Sequence, residues 1–192
     1  EVGSGHCLQT LEEHKLPVKW AEFSPDSRLV VTASFDGTAK IWEVASQVAS
    51  GLCIHTLQGH REHVQSAVFS PDGKWVLTGS HDCTAKIWET ASGRCARTLQ
   101  GHRDWVGSVA FSPDGEQAVT ASQDSTIKIW EIGSGRCLQT LSGHRGQVWS
   151  AAFSPDGTRA ISASPDGTAK IWDLASGRCA LTLDAHTDWV YS

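Results

Sequence analysis

Serine, histidine and aspartate recur together along this chain, and in hydrolases that trio supplies a nucleophile, a general base and an orienting acid. The sets are His14, Ser34, Asp36; His60, Ser80, Asp82; His102, Ser122, Asp124; and His144, Ser164, Asp166. Each is followed, six residues after the aspartate, by a tryptophan: Trp42, Trp88, Trp130 and Trp172. An enzyme needs one such set in one cleft. Four copies, each with an indole donor attached, point instead to structural polar networks, so no catalytic residue is assigned and the chain is read as non-enzymatic. A buried carboxylate, hydroxyl and indole N–H each need a partner. In the second set Thr78 faces the same side as Ser80 and is an alternative hydroxyl. His60, His63, His81 and Cys83 raise a metal reading, but their spacing fits no zinc pattern. No metal or other cofactor is expected.

Five of the six cysteines, Cys7, Cys53, Cys95, Cys137 and Cys179, hold one slot, each followed three residues on by Thr-Leu. Equivalent slots in neighbouring units should lie farther apart than the ~7 Å limit for a bridge. The expectation is reduced thiols acting as small buried hydrophobes, which favours an intracellular, cytoplasmic setting. Cys83 stands outside this pattern.

The elements that position these residues follow from the spacing. His14, His60, His102, His144 and His186 are separated by steps of 46, 42, 42 and 42 residues, the mark of a repeat architecture. Each unit parses into four short strands. In the second, strand a is Val64–Phe69, followed by Ser70-Pro71-Asp72-Gly73, a turn in which Gly supplies the left-handed residue. Strand b follows at 74–80, then a tight turn at Asp82-Cys83, then strand c, Thr84–Glu89. Strand d, Leu52–Leu57 or 94–99, leads to the next Gly-His. Short strands with turn signals every eight to twelve residues or so give an all-β class. Ser27 replaces the turn glycine of Gly73, Gly115 and Gly157, at a cost of roughly 1–2 kcal/mol if the left-handed conformation is kept. Four extra residues between Trp42 and Cys53, around 46–50, fall in a c–d connection, where insertions cost little.

Apolar content of 40% and charged content of 19% are those of a globular protein. Net charge is −5 with scattered basic residues, giving no support for direct nucleic-acid binding. Apolar runs of a few residues leave no room for a membrane-inserted helix.

Gly59-His60, Asp82 and Ile87-Trp88-Glu89 stand where WD-repeat (WD40) β-propellers carry their Gly-His, turn aspartate and Trp-Asp. The chain resembles that family across essentially all of 1–192. It departs where Glu13 and Ala185 replace the glycine before His14 and His186, and only Trp172-Asp173 is a literal Trp-Asp. The implied fold is a β-propeller of four-stranded antiparallel blades. Four complete repeats run roughly 14–57, 60–99, 102–141 and 144–183, with partial strands at 6–11 and 189–192. The resemblance also implies that His, Ser/Thr, Asp and Trp form one buried network per unit.

The informative departures from the repeat are aromatic. Beyond the four repeat tryptophans the chain has Trp20, Trp75, Trp105, Trp149 and Trp189. Trp105 and Trp189 sit three residues after the repeat histidine, as His63 does, and Trp149 and Tyr191 sit five after it. In the resembled family these positions, with the residue before the turn aspartate (Phe35, His81, Gln123, Pro165), line a face that takes partner peptides. Such rings suit interface hot spots or, alternatively, pack between neighbouring blades. Lys15, Arg61, Arg103 and Arg145 follow four of the histidines and form either a partial basic ring or ordinary solvated charge. The resulting expectation is a protein–protein interaction scaffold within a larger complex. The alternative is a regulatory or sensor domain of a larger signalling protein.

Four units and a fraction fall short of the usual six to eight, so an open arc with apolar end faces is expected. The 1–192 chain is therefore expected to be a segment of a longer propeller or to be completed by other chains. Light scattering on 1–192 expressed alone should show self-association; a stable, monodisperse monomer would contradict this.

Overall fold

The computed structural model describes residues 7, 9–44, 51–184, 188 and 190. Its strands form four four-stranded antiparallel sheets, each with its strands in chain order. The first sheet is β1 (Val18–Phe23), β2 (Leu29–Ser34), β3 (Ala39–Glu43) and β4 (Leu52–Leu57). The second is β5 (Val64–Phe69), β6 (Trp75–Ser80), β7 (Thr84–Glu89) and β8 (Cys95–Gln100). The third is β9 (Val106–Phe111), β10 (Gln117–Ser122), β11 (Thr126–Glu131) and β12 (Cys137–Ser142). The fourth is β13 (Ser150–Phe153), β14 (Arg159–Ala163), β15 (Ala169–Asp173) and β16 (Arg178–Leu183). Strand b of the second unit thus begins one residue later than its turn chemistry suggests, and its strand d ends one residue later. Among the described residues of 6–11 no strand forms, contrary to the partial strand expected there. The 189–192 stretch, apart from Val190, and the insertion at 46–50 lie outside the described residues.

The hairpins close as their turn residues dictate. Gly73 takes φ 71° and its amide donates to the Ser70 carbonyl at 2.8 Å. Asp72 Oδ1 accepts the Ser70 hydroxyl at 2.7 Å and the Lys74 amide at 3.0 Å. Ser27 keeps the left-handed geometry at φ 59° without being glycine. Cys83 and Ser125 do the same in the turn between strands b and c, at φ 66° and 68°, where the other two units have Gly37 and Gly167. Cys83 is therefore a turn residue. In every c–d pairing the register slips just before the repeat tryptophan; such a bulge re-aims a side chain.

Adjacent sheets pack face to face. Val31, Ile41 and Leu57 of the first sheet meet Val64, Ala67 and Phe69 of the second. Leu77, Ile87 and Leu99 meet Val106, Val109 and Ala118, and Val119, Ile129 and Leu141 meet Val148, Ala151 and Ala160. Each contact repeats the last, burying apolar side chains worth ~1.5–3 kcal/mol apiece. Along the edge opposite the Gly-His loops, a strand-d side chain donates to a carbonyl of the next unit. His55 reaches Ala91 at 3.1 Å, Arg97 reaches Gly133 at 3.1 Å and Gln139 reaches Leu174 at 2.6 Å. Glu22 crosses from the first sheet to accept the Phe69 amide at 3.2 Å, and burial raises its carboxyl above the ordinary range.

The four sheets form an open array and do not close into a ring. Phe23 is 63% exposed where Phe69 is 6%, and Leu183 is 40% exposed where Leu141 and Leu99 are 1%. The Val190 amide bonds the Ser164 carbonyl at 3.3 Å as the Val148 amide bonds that of Ser122 at 2.9 Å. Val190 thus makes the bond in the fourth unit that Val148 makes in the third.

The cysteine slot differs from expectation. All six thiols are free, but Cys7, Cys95 and Cys179 are exposed and Cys53 and Cys137 only half-buried. Cys53, Cys95, Cys137 and Cys179 lie on the outermost strand of each sheet, whose side chains no further strand covers.

Ser27→Gly and Cys83→Gly should each raise stability by about 0.5–1 kcal/mol, because glycine removes the left-handed penalty at some cost in unfolded-state entropy. Urea midpoints check this.

Candidate partner-binding face

Each sheet contains one polar relay, and chemistry fixes the direction of every proton in it. In the second unit His60 Nδ1 lies 2.9 Å from Asp82 Oδ2, His60 Nε2 lies 2.7 Å from Thr78 Oγ1, and Trp88 Nε1 lies 2.9 Å from the same oxygen. A carboxylate can only accept, so Nδ1 carries a proton, and in the neutral ring Nε2 is then the acceptor. The threonine hydroxyl then donates to the imidazole while accepting from the indole. Asp82 Oδ2 also accepts the Arg61 amide at 3.0 Å, and Oδ1 accepts the Thr84 hydroxyl and amide at 2.6 and 3.0 Å. The same circuit joins His14, Thr32, Asp36 and Trp42; His102, Thr120, Asp124 and Trp130; and His144, Ser162, Asp166 and Trp172.

The linking hydroxyl is thus Thr32, Thr78, Thr120 and Ser162, not Ser34, Ser80, Ser122 and Ser164. In a strand, residues two apart share a face, which is why the two positions could not be separated on pattern. The serines instead form the turn: each accepts the amide of its aspartate at 3.1 Å. Ser34, Ser80 and Ser122 donate to Leu16, Glu62 and Asp104 carbonyls.

Ser162, His144 and Asp166 therefore have the connectivity of a catalytic triad, at 2.8 and 2.9 Å. The hydroxyl is buried and already accepts the Trp172 indole at 2.8 Å, so no substrate carbonyl can approach it. Burial lowers the pKa of His102 and His144 against the opposing pull of Asp124 and Asp166. Burial works against charge on the aspartates too, but the bonds they accept outweigh it. Asp36 and Asp124 are held at about 2, and Asp82 and Asp166 are likewise lowered.

The relays anchor the loops at one end of the array, and there the variable residues meet across sheet boundaries. In the first three units the residue before the turn aspartate touches the residue three beyond the next histidine. Phe35 and His63 rings lie 4.8 Å apart, with His63 Nδ1 donating to the Phe35 carbonyl. His81 stacks on Trp105 at 3.7 Å and 5°, and Gln147 donates to Gln123 at 3.2 Å. His63 and His81 are 5.2 Å apart, joining the first two contacts into one run of rings. Burial, and then His63, lower the His81 pKa, with Glu62 and Asp104 opposing. Gln65 bonds His81 Nε2.

Phe35, His63 and His81 are thus largely spent on holding the sheets together. Trp105 and Trp149 do both jobs. Trp105 gives one face to His81 yet stays 41% exposed, and Trp149, with its indole N–H on Gln147 at 3.2 Å, is 36% exposed. Arg103 and Arg145 are exposed at the loop tips, their amides bonded to Asp124 and Asp166. Trp189 and Tyr191 lie outside the described residues, as does His186. Among the described residues no group of three metal-ligating side chains comes together, and no helix is long and apolar enough to cross a membrane. The sequence offered packing between neighbouring units only as the alternative to a partner face and did not name the pairs, although their signal was there: two variable positions whose residue types change together from unit to unit.

The model of the family described as WD domain, G-beta repeat matches residues 5–43, 51–89, 93–131 and 135–173, which together span most of the chain. The chain belongs to that WD-repeat family. Each of the three later matched repeats begins on or just before strand d and ends on strand c, so its first strand completes the sheet before it. WD repeats generally mediate protein–protein interaction and are typically non-enzymatic modules. The chain is also similar to human WD repeat-containing protein 86, 37% identical over 43 residues, covering 22% of this chain and 11% of that protein.

Thr120→Val should cost about 1–3 kcal/mol, because it leaves the buried His102 and Trp130 groups short of a partner. Stability should also fall with acid in two stages. His102 and His144 are lowered, so their contribution is lost as pH drops below about 6.5. The aspartates are lowered from 3.8, so theirs is lost between about 4 and 2. Urea midpoints against pH check both stages, and His102→Asn should shrink the first.

Proposed function

We propose that this WD-repeat chain is a non-enzymatic interaction scaffold that binds a partner protein through the face carrying Trp105 and Trp149, within a larger assembly in a reducing, intracellular compartment. The observation that carries this reading is the partial exposure of two indoles on loops that the relays hold rigid. Half-exposed, pre-oriented aromatic rings offer large contact area with little ordering cost on binding. The six free thiols support the compartment. Partner binding through other proteins, with no direct nucleic-acid or membrane contact, agrees with the net charge of −5. Trp189 and Tyr191 hold the matching positions in the sequence repeat.

Trp149→Ala should weaken capture of native partners by about tenfold, a loss of ~1.4 kcal/mol, with the thermal midpoint little changed. Quantitative co-purification and thermal melts are the two readouts. A large fall in melting temperature with capture intact would assign Trp149 to packing between sheets instead.

A further inference from the structure

The binding face is not chemically even, and its unevenness specifies a partner. In the first unit the loop cation Lys15 has Glu12 and Glu13 beside it, and in the second Arg61 is followed by Glu62. In the third, Asp104 follows Arg103 but turns back to accept the Trp105 amide at 2.8 Å. In the fourth, Gly146 stands in that place and Arg145 has no acidic neighbour in the loop. Neither guanidinium forms an ion pair among the described residues. Each sits two or four residues from an exposed indole, Trp105 or Trp149. Trp105 Nε1 has no hydrogen-bond partner among the described residues. This end of the face therefore offers donors and apolar ring surface but few open acceptors.

We infer that the loops of the third and fourth units take an extended peptide that places aspartate or glutamate side chains on Arg103 and Arg145 and bulky apolar side chains on Trp105 and Trp149. The inference rests on the proposed interaction face and adds the chemistry of its occupant. Guanidinium–carboxylate pairs are directional and charge-assisted. A basic segment would meet two guanidinium groups there that form no ion pair among the described residues, and such mismatches discriminate against wrong partners. Because the chain as a whole is acidic, recognition depends on this local pairing rather than on long-range attraction. His81 and Gln147 hold the two rings in place beforehand, which limits the side-chain entropy lost on docking.

The test is selection from a random displayed library of peptides about a dozen residues long, using the whole chain as bait. Selected peptides should combine acidic with bulky apolar residues. Their affinity should fall about tenfold or more on the double change R103E/R145E and fall with added salt. They should also shift the Trp105 indole N–H resonance, assigned through Trp105→Phe. Thermal melts should confirm that R103E/R145E leaves the fold intact, since both side chains are exposed. A library that yields only basic or uncharged binders, or none, would overturn the inference. So would acidic binders indifferent to R103E/R145E. If native partners are lost on Trp149→Ala but not on charge reversal, the occupant's chemistry is wrong while the interaction face stands.

Discussion

The structure depends on one interaction: an indole N–H donating to a threonine or serine hydroxyl that itself donates to a histidine held by an aspartate. This relay spans strand b, strand c, the turn between them and the loop that enters strand a. It therefore fixes, with a few bonds, both the interior of a sheet and the exit direction of its two loops at one end. A network of this kind stabilises only when every member is satisfied, because an unpaired member in the interior costs more than its bond contributes. The aspartate shows that closure most fully, accepting from an imidazole, a hydroxyl and two backbone amides.

With the loops fixed, variation becomes affordable at two sets of positions. One set crosses the boundary between sheets near the relay, as ring stacking in two cases and an amide pair in the third. The other crosses at the far end, where histidine, arginine and glutamine all reach a carbonyl of the next unit. In the fourth unit the corresponding residues are Pro165 and Leu181, and neither offers a donor. The apolar faces are uniform by comparison, so neighbouring units share one packing geometry and differ in their polar edges.

Much of this was legible in the sequence because repetition averages out local ambiguity. The turn chemistry placed the strands of the second unit within a residue and marked the left-handed position at Ser27. The hydroxyl was less legible, since Ser80 and Thr78 point to the same face and only the structure shows Ser80 engaged by the Asp82 amide and the Glu62 carbonyl and Thr78 by the indole. The cysteines misled because a small residue in a fixed slot reads as buried, whereas the outermost strand of each sheet leaves that slot open. The stacking of His81 on Trp105 is a contact between units, and a single period cannot show what its neighbour contributes.

The repeated His, Asp, Thr/Ser and Trp form closed, solvent-excluded frames. Nitrogen NMR of the imidazoles near neutral pH tests this most directly. The expected result is a proton on Nδ1 of His14, His60, His102 and His144, in neutral rings at His102 and His144, with slow exchange at the indole N–H of Trp42, Trp88, Trp130 and Trp172. Imidazoles protonated on Nε2, or indole protons that exchange freely with water, would contradict it.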